Sequence, residues 1–480
     1  MELIVTAHTA CIALLALYAI HQAFLLALCL LRRHRPRLAL PSPDTAGHLP
    51  HVTVQIPLFN EPHRVERVIE AAARLHYPRE KLHIQVLDDS TDATTLIAER
   101  AVRHWRAQGL DITLLHRPHR SGYKAGALAH GLAQTSSELV AIFDADFMPL
   151  PDFLLKVLVE HGAFRDPRVG FVQTRWAFLN RDASALTRAQ ALILDAHFHI
   201  EQPARSRGGL LMNFNGAGGI WRRTCITAAG GWQCDTLTED LDLSYRAQLA
   251  GWRGVYLDDV IAPNDLPLDV WSYKQQQARW ARGTLQTLRK LLSAIWRAPL
   301  SPIQRWAALM HLSGYFVPPL IWLTALTTPL VVIDWWLRGT ASPSWANLVS
   351  LLTLAPLATM FAAHRAQRLP LRHFLRDLPA ALLLGIGVSF SNTLALARGL
   401  LITGRSGDFV RTPKGPPTSY RTQPDWTMWA ELLMALYATL GLAVILQMGV
   451  WAATLPLALY ALGFGSVGLG QIARRLEELQ

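Results

Sequence analysis

Long apolar runs lie toward both ends of this chain, and a stretch with the pattern of a folded α/β domain separates them. The first run, Leu3–Leu31, is almost uninterrupted and is followed by the basic segment "RRHRPR" (Arg32–Arg37). A secretory signal carries its positive charges before the apolar run, whereas here the acidic Glu2 precedes it and the cations follow. The pattern therefore predicts an uncleaved membrane helix whose carboxyl end faces the cytoplasm.

Between His51 and Pro263, short β-rich segments alternate with amphipathic helical stretches. The predicted strands are "VTVQIP", "HIQVLDD", "DITLLHR", "LVAIFDAD" and "VGFVQTR". Strands and helices in alternation indicate a mostly parallel, doubly wound sheet, so the predicted fold class is α/β. Ligands of such sheets bind at the carboxyl ends of the strands, and we expect the functional residues there.

Beyond Trp271 the chain becomes apolar again. The further candidate membrane spans are His311–Trp336, Trp345–Ala363, Trp426–Met448 and Trp451–Leu469. Each is about as long as the hydrocarbon core of a bilayer requires. Another apolar run, Leu378–Ile402, has basic segments on both sides, and the count of Arg and Lys favours keeping both flanks in the cytoplasm. We therefore predict that Leu378–Ile402 is an interfacial or re-entrant helix and that five other segments cross the membrane.

Composition narrows the class of protein. The 480 residues are 51% hydrophobic, which is high for a soluble protein and favours a soluble domain combined with membrane segments. The net charge of +11 suits either nucleic-acid binding or the cytoplasmic surface of a membrane protein. The apolar ends favour the second, so no nucleic-acid partner is expected. The four cysteines form no CxxC pair, which indicates neither a disulfide framework nor a zinc site.

Paired acidic residues stand at the ends of two predicted strands. Asp88 and Asp89 end the second strand, where the donors of a nucleotide base and ribose could meet them, or where an Asp could cap the next helix. Asp144 and Asp146 end the fourth strand, and both could face one ligand only if the chain turns between them. Their hard oxygen atoms favour Mg²⁺ or Mn²⁺, ions that commonly join a protein to a diphosphate.

Two further segments carry candidate chemistry. In "RSGYKAGAL", Lys124 opens a helix whose amino end favours anions, although a surface lysine is the alternative. In "TLTEDLDL", the acids Glu239, Asp240 and Asp242 crowd a helix start, and the helix dipole accounts for one or two of them. A transferase that activates a sugar hydroxyl needs a carboxylate base, and we assign that role to Asp240.

The segment "YKQQQARWARG" is polar, basic and aromatic, and it leads into an apolar run. Its Gln276, Arg279 and Trp280 have the i, i+3, i+4 spacing of one helical face. Arg279 could pair with a leaving diphosphate, while Trp280 and Gln276 could contact a sugar. The alternative is an amphipathic interface helix at the level of the lipid head groups.

Four of these motifs together resemble a known signature. "DDS", "DAD", "TED" and "QQARW" are similar in order to the D, DxD, (T/E)ED and QxxRW motifs of the processive family 2 glycosyltransferases, which include cellulose, mannan and hyaluronan synthases. The resemblance covers about Val52–Gly283, and "FNGAGGIWR" and "GWRGVYLDDV" are most similar to cellulose-synthase-like mannan and glucan synthases. It implies a nucleotide-sugar-binding sheet of the GT-A type, embedded between transmembrane α-helices.

The resemblance also implies a domain organisation and a set of roles. The regions are a membrane helix with its basic flank (1–37), a linker (38–50), a cytoplasmic glycosyltransferase domain (51–265), interface helices with QxxRW (266–305) and membrane helices (306–480) that include a gating-like loop (403–425). Donor-binding residues would be Phe59, Glu61, Asp88, Asp89, Lys124 and Asp144. Asp144 and Asp146 would hold Mg²⁺ or Mn²⁺, and Asp240 would be the catalytic base.

The acceptor and the diphosphate would be framed by Glu239, Gln276, Arg279 and Trp280. The segment "FVRTPK" is similar to the gating loop of the family, which is of the type FxVTxK, so Phe409, Thr412 and Lys414 could close over the donor phosphates. Arg411 stands where Val is usual in that loop.

These expectations define a function and its alternatives. The leading hypothesis is an inverting, multi-pass enzyme of the cell membrane, with its catalytic domain in the cytoplasm. It would polymerise sugar from UDP-glucose or GDP-mannose into a β-linked glucan or mannan, coupled to export. A non-processive enzyme that glycosylates a lipid or short acceptor is one alternative, and a non-enzymatic transporter or assembly protein is another. Its partners would be the donor, the growing polysaccharide, the lipid bilayer and export or assembly subunits of unknown kind.

Overall fold

The computed structural model of the chain describes residues 1–32, 49–340, 352, 354–401, 425–451 and 453–479. Three groups of predicted residues lie outside these ranges. They are the gating-like loop with Phe409, Thr412 and Lys414, most of the linker 38–50, and most of the basic flank that follows the first apolar helix.

A seven-stranded sheet forms the centre of the region between Val52 and Asn264. Its strands are β1 (Val52–Leu58), β2 (Leu82–Asp88), β3 (Ile112–His116), β4 (Leu139–Ile142), β5 (Val169–Phe178), β6 (Gly219–Arg222) and β7 (Arg253–Asn264). The strand order is β3-β2-β1-β4-β6-β5-β7. Strand β1 runs parallel to β2 and β4, β2 to β3, and β5 to β7. The predicted α/β sheet is therefore confirmed, with the correction that β6 runs antiparallel between β4 and β5.

Helices cover the sheet, and further helices follow it. Their bounds are α1 (Glu2–Leu31), α2 (Val65–Ala73), α3 (Thr94–Ala107), α4 (Tyr123–Ala133), α5 (Phe153–Leu155), α6 (Ala185–Ala196), α7 (Gln202–Gly208), α8 (Arg223–Ala228), α9 (Glu239–Leu249), α10 (Val270–Arg297), α11 (Pro302–Leu312), α12 (Val317–Leu337), α13 (Leu354–Ala366), α14 (Leu371–Gly387), α15 (Ser389–Leu401), α16 (Thr427–Gln447) and α17 (Thr454–Leu479). Because helices pack on both faces, the apolar side chains of β1 and β4 have no solvent exposure, apart from a trace at the ends of the strands.

The long helix α10 connects the sheet and its covering helices to the C-terminal helices. It begins where Asp269 accepts a hydrogen bond from the backbone N–H of Ser272 at 2.9 Å, an N-cap contact. It ends at Arg297, because the following Ala298 precedes a proline and takes the extended conformation. Helix α9 packs on α10 through an apolar cluster that includes Tyr245 and Ile295, so the two helices hold each other in place.

Five helical segments within the described ranges are long and apolar enough to cross a membrane. They are Glu2–Leu31, Gly314–Leu337, Leu371–Leu401, Thr427–Gln447 and Thr454–Glu478. The number equals the predicted number, but the members differ. Leu371–Leu401 qualifies by length and composition, whereas the sequence favoured an interfacial helix there. The predicted span Trp345–Ala363 lies partly outside the described residues, and its described part begins with the 13-residue helix α13.

Candidate active site

The candidate site lies at one edge of the sheet. Strands β1, β2 and β4 are parallel neighbours, so their carboxyl ends meet at the same edge. Phe59 follows β1, Asp88 is the last residue of β2, and Asp144 follows β4. The sheet topology therefore brings residues from three distant parts of the sequence to one edge.

Asp88 and Asp89 have partners within the protein. The fully buried carboxylate of Asp88 accepts hydrogen bonds from the Ser90 backbone at 3.0 Å, the Thr95 hydroxyl at 2.6 Å and the His116 imidazole at 2.8 Å. Asp89 is held by the Arg117 guanidinium in two bonds of 2.7 and 2.6 Å. Internal donors thus satisfy both acids, and their contact with a nucleotide stays a prediction.

The DxD segment lies in a turn. The backbone N–H of Phe147 donates to the carbonyl of Asp144 at 2.9 Å, which closes a turn around Asp146. The side chain of Asp144 is 35% exposed, and Asp146 is buried. Side chains two residues apart lie on the same face of an extended strand, so the expectation that both carboxylates could face one ligand only through a turn was wrong.

Lys124 is the cation at the centre of the site. Its ammonium lies 2.6 Å from Asp144 Oδ1 and 3.8 Å from Glu239 Oε1, and it donates to the carbonyl of Gly216 at 2.9 Å. Burial alone would lower the pKa of Lys124, but the nearby carboxylates of Asp144, Glu239 and Asp240 outweigh it and raise that pKa above its ordinary value. Lys124 therefore links the DxD motif to the TED motif as a permanent positive charge.

Helix α4 presents Lys124 because its first turn is built on glycines. Gly122 precedes the helix with φ +73°, a left-handed conformation that favours glycine. A Cβ at Gly126 would collide with the carbonyl of Ser121, so only glycine allows the loop to lie this close to the first turn. The glycines of "RSGYKAGAL" thus bring Lys124 into the site.

The pKa of the buried Asp240 carboxyl is shifted toward neutrality. Burial and the neighbouring charge of Glu239 raise the pKa of its carboxyl to about 7, against the opposing effect of Lys124. A base with a pKa near the working pH is well matched to accepting a proton from a hydroxyl. Gly216, at φ +84°, lies against this carboxyl: a Cβ at this position would be 3.1 Å from Asp240 Oδ2.

The QxxRW helix α10 approaches the same carboxylates. Burial lowers the pKa of Arg279, and the carboxylates of Glu239, Asp144, Asp240 and Asp146 act in the opposite direction. Arg279 and Trp280 are half-buried, and Gln276 is buried. The structure therefore brings Arg279 into the field of both acidic motifs.

A glycine contact holds α10 against the TED loop. A Cβ at Gly283 would lie 2.5 Å from Cγ2 of Thr238, so the absence of a side chain permits the close approach. Gln286, one turn later, accepts a hydrogen bond from the backbone N–H of Leu237 at 2.8 Å. We did not single out Gly283 from the sequence, although a glycine inside an amphipathic helix is a signal of close packing.

An open cleft of about 810 Å³ lies beside the loop that precedes Lys124. Its walls include the loop Arg120–Tyr123 on one side and the loop Trp232–Asp235 on the other. The guanidinium of Arg120 lies 3.4 Å from the centroid of the Phe59 ring, a cation–π contact. Glu61 lies 3.7 Å from Arg64. Phe59 thus lies beside the cleft wall, and its contact with Arg120 was not predicted from the sequence.

The acidic residues alone do not complete a metal centre. In the described ranges, no group of three or more His, Cys, Asp or Glu side chains converges to hold an ion. Asp144 and Asp146 nevertheless offer the hard oxygen ligands that Mg²⁺ and Mn²⁺ prefer, and such ions usually complete their shell with water and substrate phosphates. The pair fits an ion that is shared with a diphosphate.

Comparisons with known proteins find related sequences and a related fold. The profile of the family described as "Glycosyltransferase like family 2" matches residues 50–283. Probable glucomannan 4-beta-mannosyltransferase 7 of Oryza sativa subsp. japonica is 43% identical over 249 residues, 51% of this chain and 42% of that protein. Glucomannan 4-beta-mannosyltransferase 2 of Arabidopsis thaliana is 35% identical over 389 residues, 77% of this chain and 68% of that protein. The similarity thus spans less than half of the first relative's length and about two thirds of the second.

A solved structure shares the fold. A mannosyltransferase from Pyrobaculum calidifontis, determined in complex with GDP-Man and Mn²⁺, superposes with a TM-score of 0.54. The match covers 82% of this chain and 99% of that chain at 22% sequence identity. At this identity the similarity shows a common fold.

Proposed function

Because the chain belongs to the family 2 glycosyltransferases, together with the glucomannan 4-β-mannosyltransferases, we propose that it transfers a sugar from a nucleotide-sugar donor to a growing β-linked polysaccharide. Family membership confirms the resemblance on which the sequence-based hypothesis depended. We propose, in addition, its activity, its donor, its product and its location in a membrane.

One observation carries the proposal: the acids of two distant motifs converge around two cations. Asp144 of the DxD motif and Glu239 of the TED motif both lie within 4 Å of the Lys124 ammonium. The negative charges of the same acids also act on the Arg279 guanidinium and favour its protonated form. An enzyme that handles a diphosphate uses fixed cations beside metal-binding acids and a base near neutrality, and Lys124, Asp144 and Asp240 are our candidates for these three roles.

The proposed mechanism gives a role to each of these side chains. Asp240 accepts the proton of an acceptor hydroxyl, and the oxygen attacks the anomeric carbon as the bond to the diphosphate breaks. Attack from the side opposite the leaving group inverts the configuration and gives a β-linkage from an α-linked donor. Lys124 and Arg279 bind the departing diphosphate, and such stabilisation of a developing charge is usually a large contribution.

Asp144 and Asp146 would hold the divalent ion. When bound, a Mg²⁺ or Mn²⁺ ion supplies positive charge that stabilises the diphosphate leaving group. Lys124 contacts one oxygen of Asp144 at 2.6 Å, so it lies within reach of phosphates that share this carboxylate. The Pyrobaculum mannosyltransferase, which has the same fold, was solved with Mn²⁺.

For the donor, we propose GDP-mannose, with UDP-glucose as the second candidate. Relatives named glucomannan 4-β-mannosyltransferases support a mannosyl transfer that forms β-mannan or glucomannan chains. The five apolar segments support a location in the membrane, with product passing outward and the catalytic domain in the cytoplasm. Processive polymerisation and coupled export are parts of this proposal.

A donor screen on the full chain in detergent tests the proposal. Labelled GDP-mannose and UDP-glucose are supplied with Mn²⁺ or Mg²⁺, and both nucleotide release and product length on a sizing gel are measured. We expect long β-linked product from GDP-mannose. Asp240→Asn should lower transfer by about 10²–10⁴-fold, because the amide cannot accept the proton, while the nucleotide Kd stays within twofold.

Each alternative gives a different result in the same screen. A non-processive enzyme yields a labelled lipid or a short product with a single added sugar. A transporter or assembly protein releases no nucleotide from any donor. Full turnover by the Asp240→Asn variant would contradict the assignment of the base.

A further inference from the structure

A buried ion cluster lies outside the candidate site, at the start of α10. Lys274 is only 3% exposed, and its ammonium lies 2.8 Å from Asp425 Oδ2 and 2.8 Å from Glu431 Oε1. It also donates to the hydroxyl of Thr427 at 2.7 Å. Gln471 donates to the other oxygen of Glu431 at 3.0 Å. We refer to Lys274, Asp425, Thr427, Glu431 and Gln471 as the Lys274 cluster.

The Lys274 cluster joins three helices at one point. Lys274 belongs to α10, Glu431 to α16 and Gln471 to α17. Asp425 also fixes the beginning of α16, since it accepts from the backbone N–H of Thr427 at 3.1 Å and from its hydroxyl at 2.6 Å. The carboxylate that caps α16 is therefore the one that binds α10.

Stability alone does not account for such a cluster. Two carboxylates and one ammonium are enclosed together, and Glu431 has no solvent exposure. Buried ion pairs are often replaced by apolar residues of similar volume with no loss of stability, because desolvation offsets the attraction between the charges. Ionisable groups among apolar helices more often serve function, and directional bonds specify one arrangement of the helices.

The position of Lys274 on α10 indicates that the cluster specifies the placement of the QxxRW face. The helix is continuous from Val270 to Arg297, and Lys274 lies two positions before Gln276. At a rise of about 1.5 Å per residue, Arg279 lies roughly 7.5 Å further along the same axis. A shift of the helix start is thus transmitted to the QxxRW face, and a misplacement of about 1 Å near reacting groups can lower a rate by about 10²-fold.

We propose that Lys274 is a positioning residue of the transfer reaction. Its cluster fixes α10 against α16 and α17, and thereby holds Gln276, Arg279 and Trp280 in register with the base Asp240. Lys274 itself does not contact the reacting atoms. The inference rests on the proposed function, because it assigns the acceptor and diphosphate contacts to α10.

The central experiment compares Lys274→Met with a matched variant, Arg188→Met. Arg188 of α6 forms a 3.0 Å ion pair with Asp377 of α14, so it also joins the catalytic domain to a C-terminal helix, but this ion pair does not include a residue of α10. The measured quantity is sugar transferred per nucleoside diphosphate released. When the acceptor contacts are misplaced, water competes with the acceptor hydroxyl as the nucleophile, and nucleoside diphosphate is released without sugar transfer. Lys274→Met should therefore lower this ratio at least threefold and kcat 10- to 100-fold, with the donor Kd unchanged. Arg188→Met should leave the ratio unchanged.

A second variant separates positioning from stability. The triple replacement Lys274→Met, Asp425→Asn, Glu431→Met removes all three charges and should recover the Tm that Lys274→Met loses. We expect its transfer ratio to stay low. The inference is overturned if the triple variant has the transfer ratio of wild type, or if the ratio of Lys274→Met is unchanged.

A measurement without turnover distinguishes this inference from the proposed function. Hydrogen–deuterium exchange of the amides in Tyr273–Arg282 should be faster in Lys274→Met than in wild type, and unchanged in Arg188→Met. Unchanged exchange in Lys274→Met overturns the positioning role. A wild-type protein that releases no nucleotide from any donor overturns the proposed function, and the positioning role in transfer with it, even where the exchange result is as expected.

Discussion

Three acids within one helical turn have three different environments. Glu239 faces the ammonium of Lys124, and Asp240 lies against Gly216 with its pKa raised to about 7. Asp242 is fully buried and is paired with Arg246 and Lys290. The sequence suggested that the helix dipole could explain one or two of these acids. The structure separates them by their partners, and each partner leads to a prediction.

The pH dependence of transfer should report the interaction between Glu239 and Asp240. Asp240 must be ionised to accept a proton, so the rate should fall about tenfold per unit below its pKa of about 7. Glu239→Gln removes a like charge that raises this pKa, so the acidic limb should move to lower pH. The measurement is kcat/KM from pH 5 to 9, normalised to the plateau.

A variant of an exposed acid far from these motifs, Glu160→Gln, serves as the control, and its profile should coincide with that of wild type. A Glu239→Gln profile that shifts to higher pH, or does not shift, contradicts the electrostatic account of Asp240.

Asp242 should affect stability rather than the pH profile. It accepts a hydrogen bond from Arg246 at 2.8 Å and lies 2.9 Å from the Lys290 ammonium of α10. Asp242→Asn weakens both contacts in a buried place, and we expect a loss of about 1–3 kcal/mol in the free energy of unfolding. Thermal unfolding in detergent measures the loss, while the midpoint of the acidic limb should stay where it is in wild type. A shifted midpoint without a change in Tm would assign Asp242 to the reaction instead.

At the scale of elements, the sequence predicted the strands that depend on the local pattern of apolar and polar residues. Strands β1 to β4 were predictable because their apolar runs end in acidic or polar residues. Strand β6 was missed, since its four residues follow a glycine-rich loop. Strand β7 was missed because the pair Asp258–Asp259 and Pro263 interrupt its apolar pattern, and its register against β5 shifts. These two strands depend on long-range pairing, which one-dimensional pattern does not contain.

The same distinction applies to the site. The residue types of the four motifs were readable, because each occurs next to a predicted strand or helix end. Their mutual contacts were not, since the bond from Lys124 to Asp144 and the contact of Gly283 with Thr238 arise only when separate elements pack. Contacts inside the protein for Asp88 and Asp89 were likewise beyond the sequence, because His116 and Arg117 come from the neighbouring strand and its loop.

The packing of α10 on the TED loop can be tested with one methyl group. Gly283→Ala would place a Cβ 2.5 Å from Thr238, so either α10 or the loop must move. We expect a loss of about 1–3 kcal/mol in stability and a drop in kcat of at least tenfold. Gly385→Ala is the matched control, because it also lies inside a helix but has no atom within 4 Å of the added methyl group.

That control should be neutral or slightly stabilising, since alanine is favoured over glycine in helices. If Gly283→Ala retains the wild-type kcat in steady-state assays, the fit between α10 and the loop is not a requirement of catalysis.

At the scale of the whole molecule, helix α10 belongs both to the candidate site and to the contacts with the C-terminal apolar helices. Helix α10 carries the QxxRW face, packs on α9, and is bound by Lys274 to the helices that follow. An apolar cluster with Tyr273 of α10 and Val467 of α17 adds a second contact between these parts. The geometry of the site therefore depends on the C-terminal helices, and a truncated catalytic domain should be less active than the full chain.

Two observations lead to different topologies for Leu371–Leu401. Its length and composition favour a membrane crossing, whereas its helix break and basic flanks do not. The segment is long enough to cross a membrane, but Val388 interrupts it and leaves helices of 17 and 13 residues. Each arm is shorter than the ~20 residues that span the hydrocarbon core. Basic flanks on both sides favour leaving both ends in the cytoplasm. We therefore predict that this segment enters the membrane from one face and returns to it.

Cysteine labelling decides between the two topologies. In a variant that lacks its four cysteines, single cysteines replace Arg372 and Leu401, which are exposed at the two ends of the segment. A membrane-impermeant maleimide is applied to vesicles of known orientation. Both positions should react from the cytoplasmic face, because transferring the basic flank across the bilayer is unfavourable. Cysteines at Glu2 and Leu31 are the matched control, since the two ends of α1 should react from opposite faces. Reaction of Arg372→Cys and Leu401→Cys from opposite faces would show that the segment crosses, and would change the side on which every later loop lies.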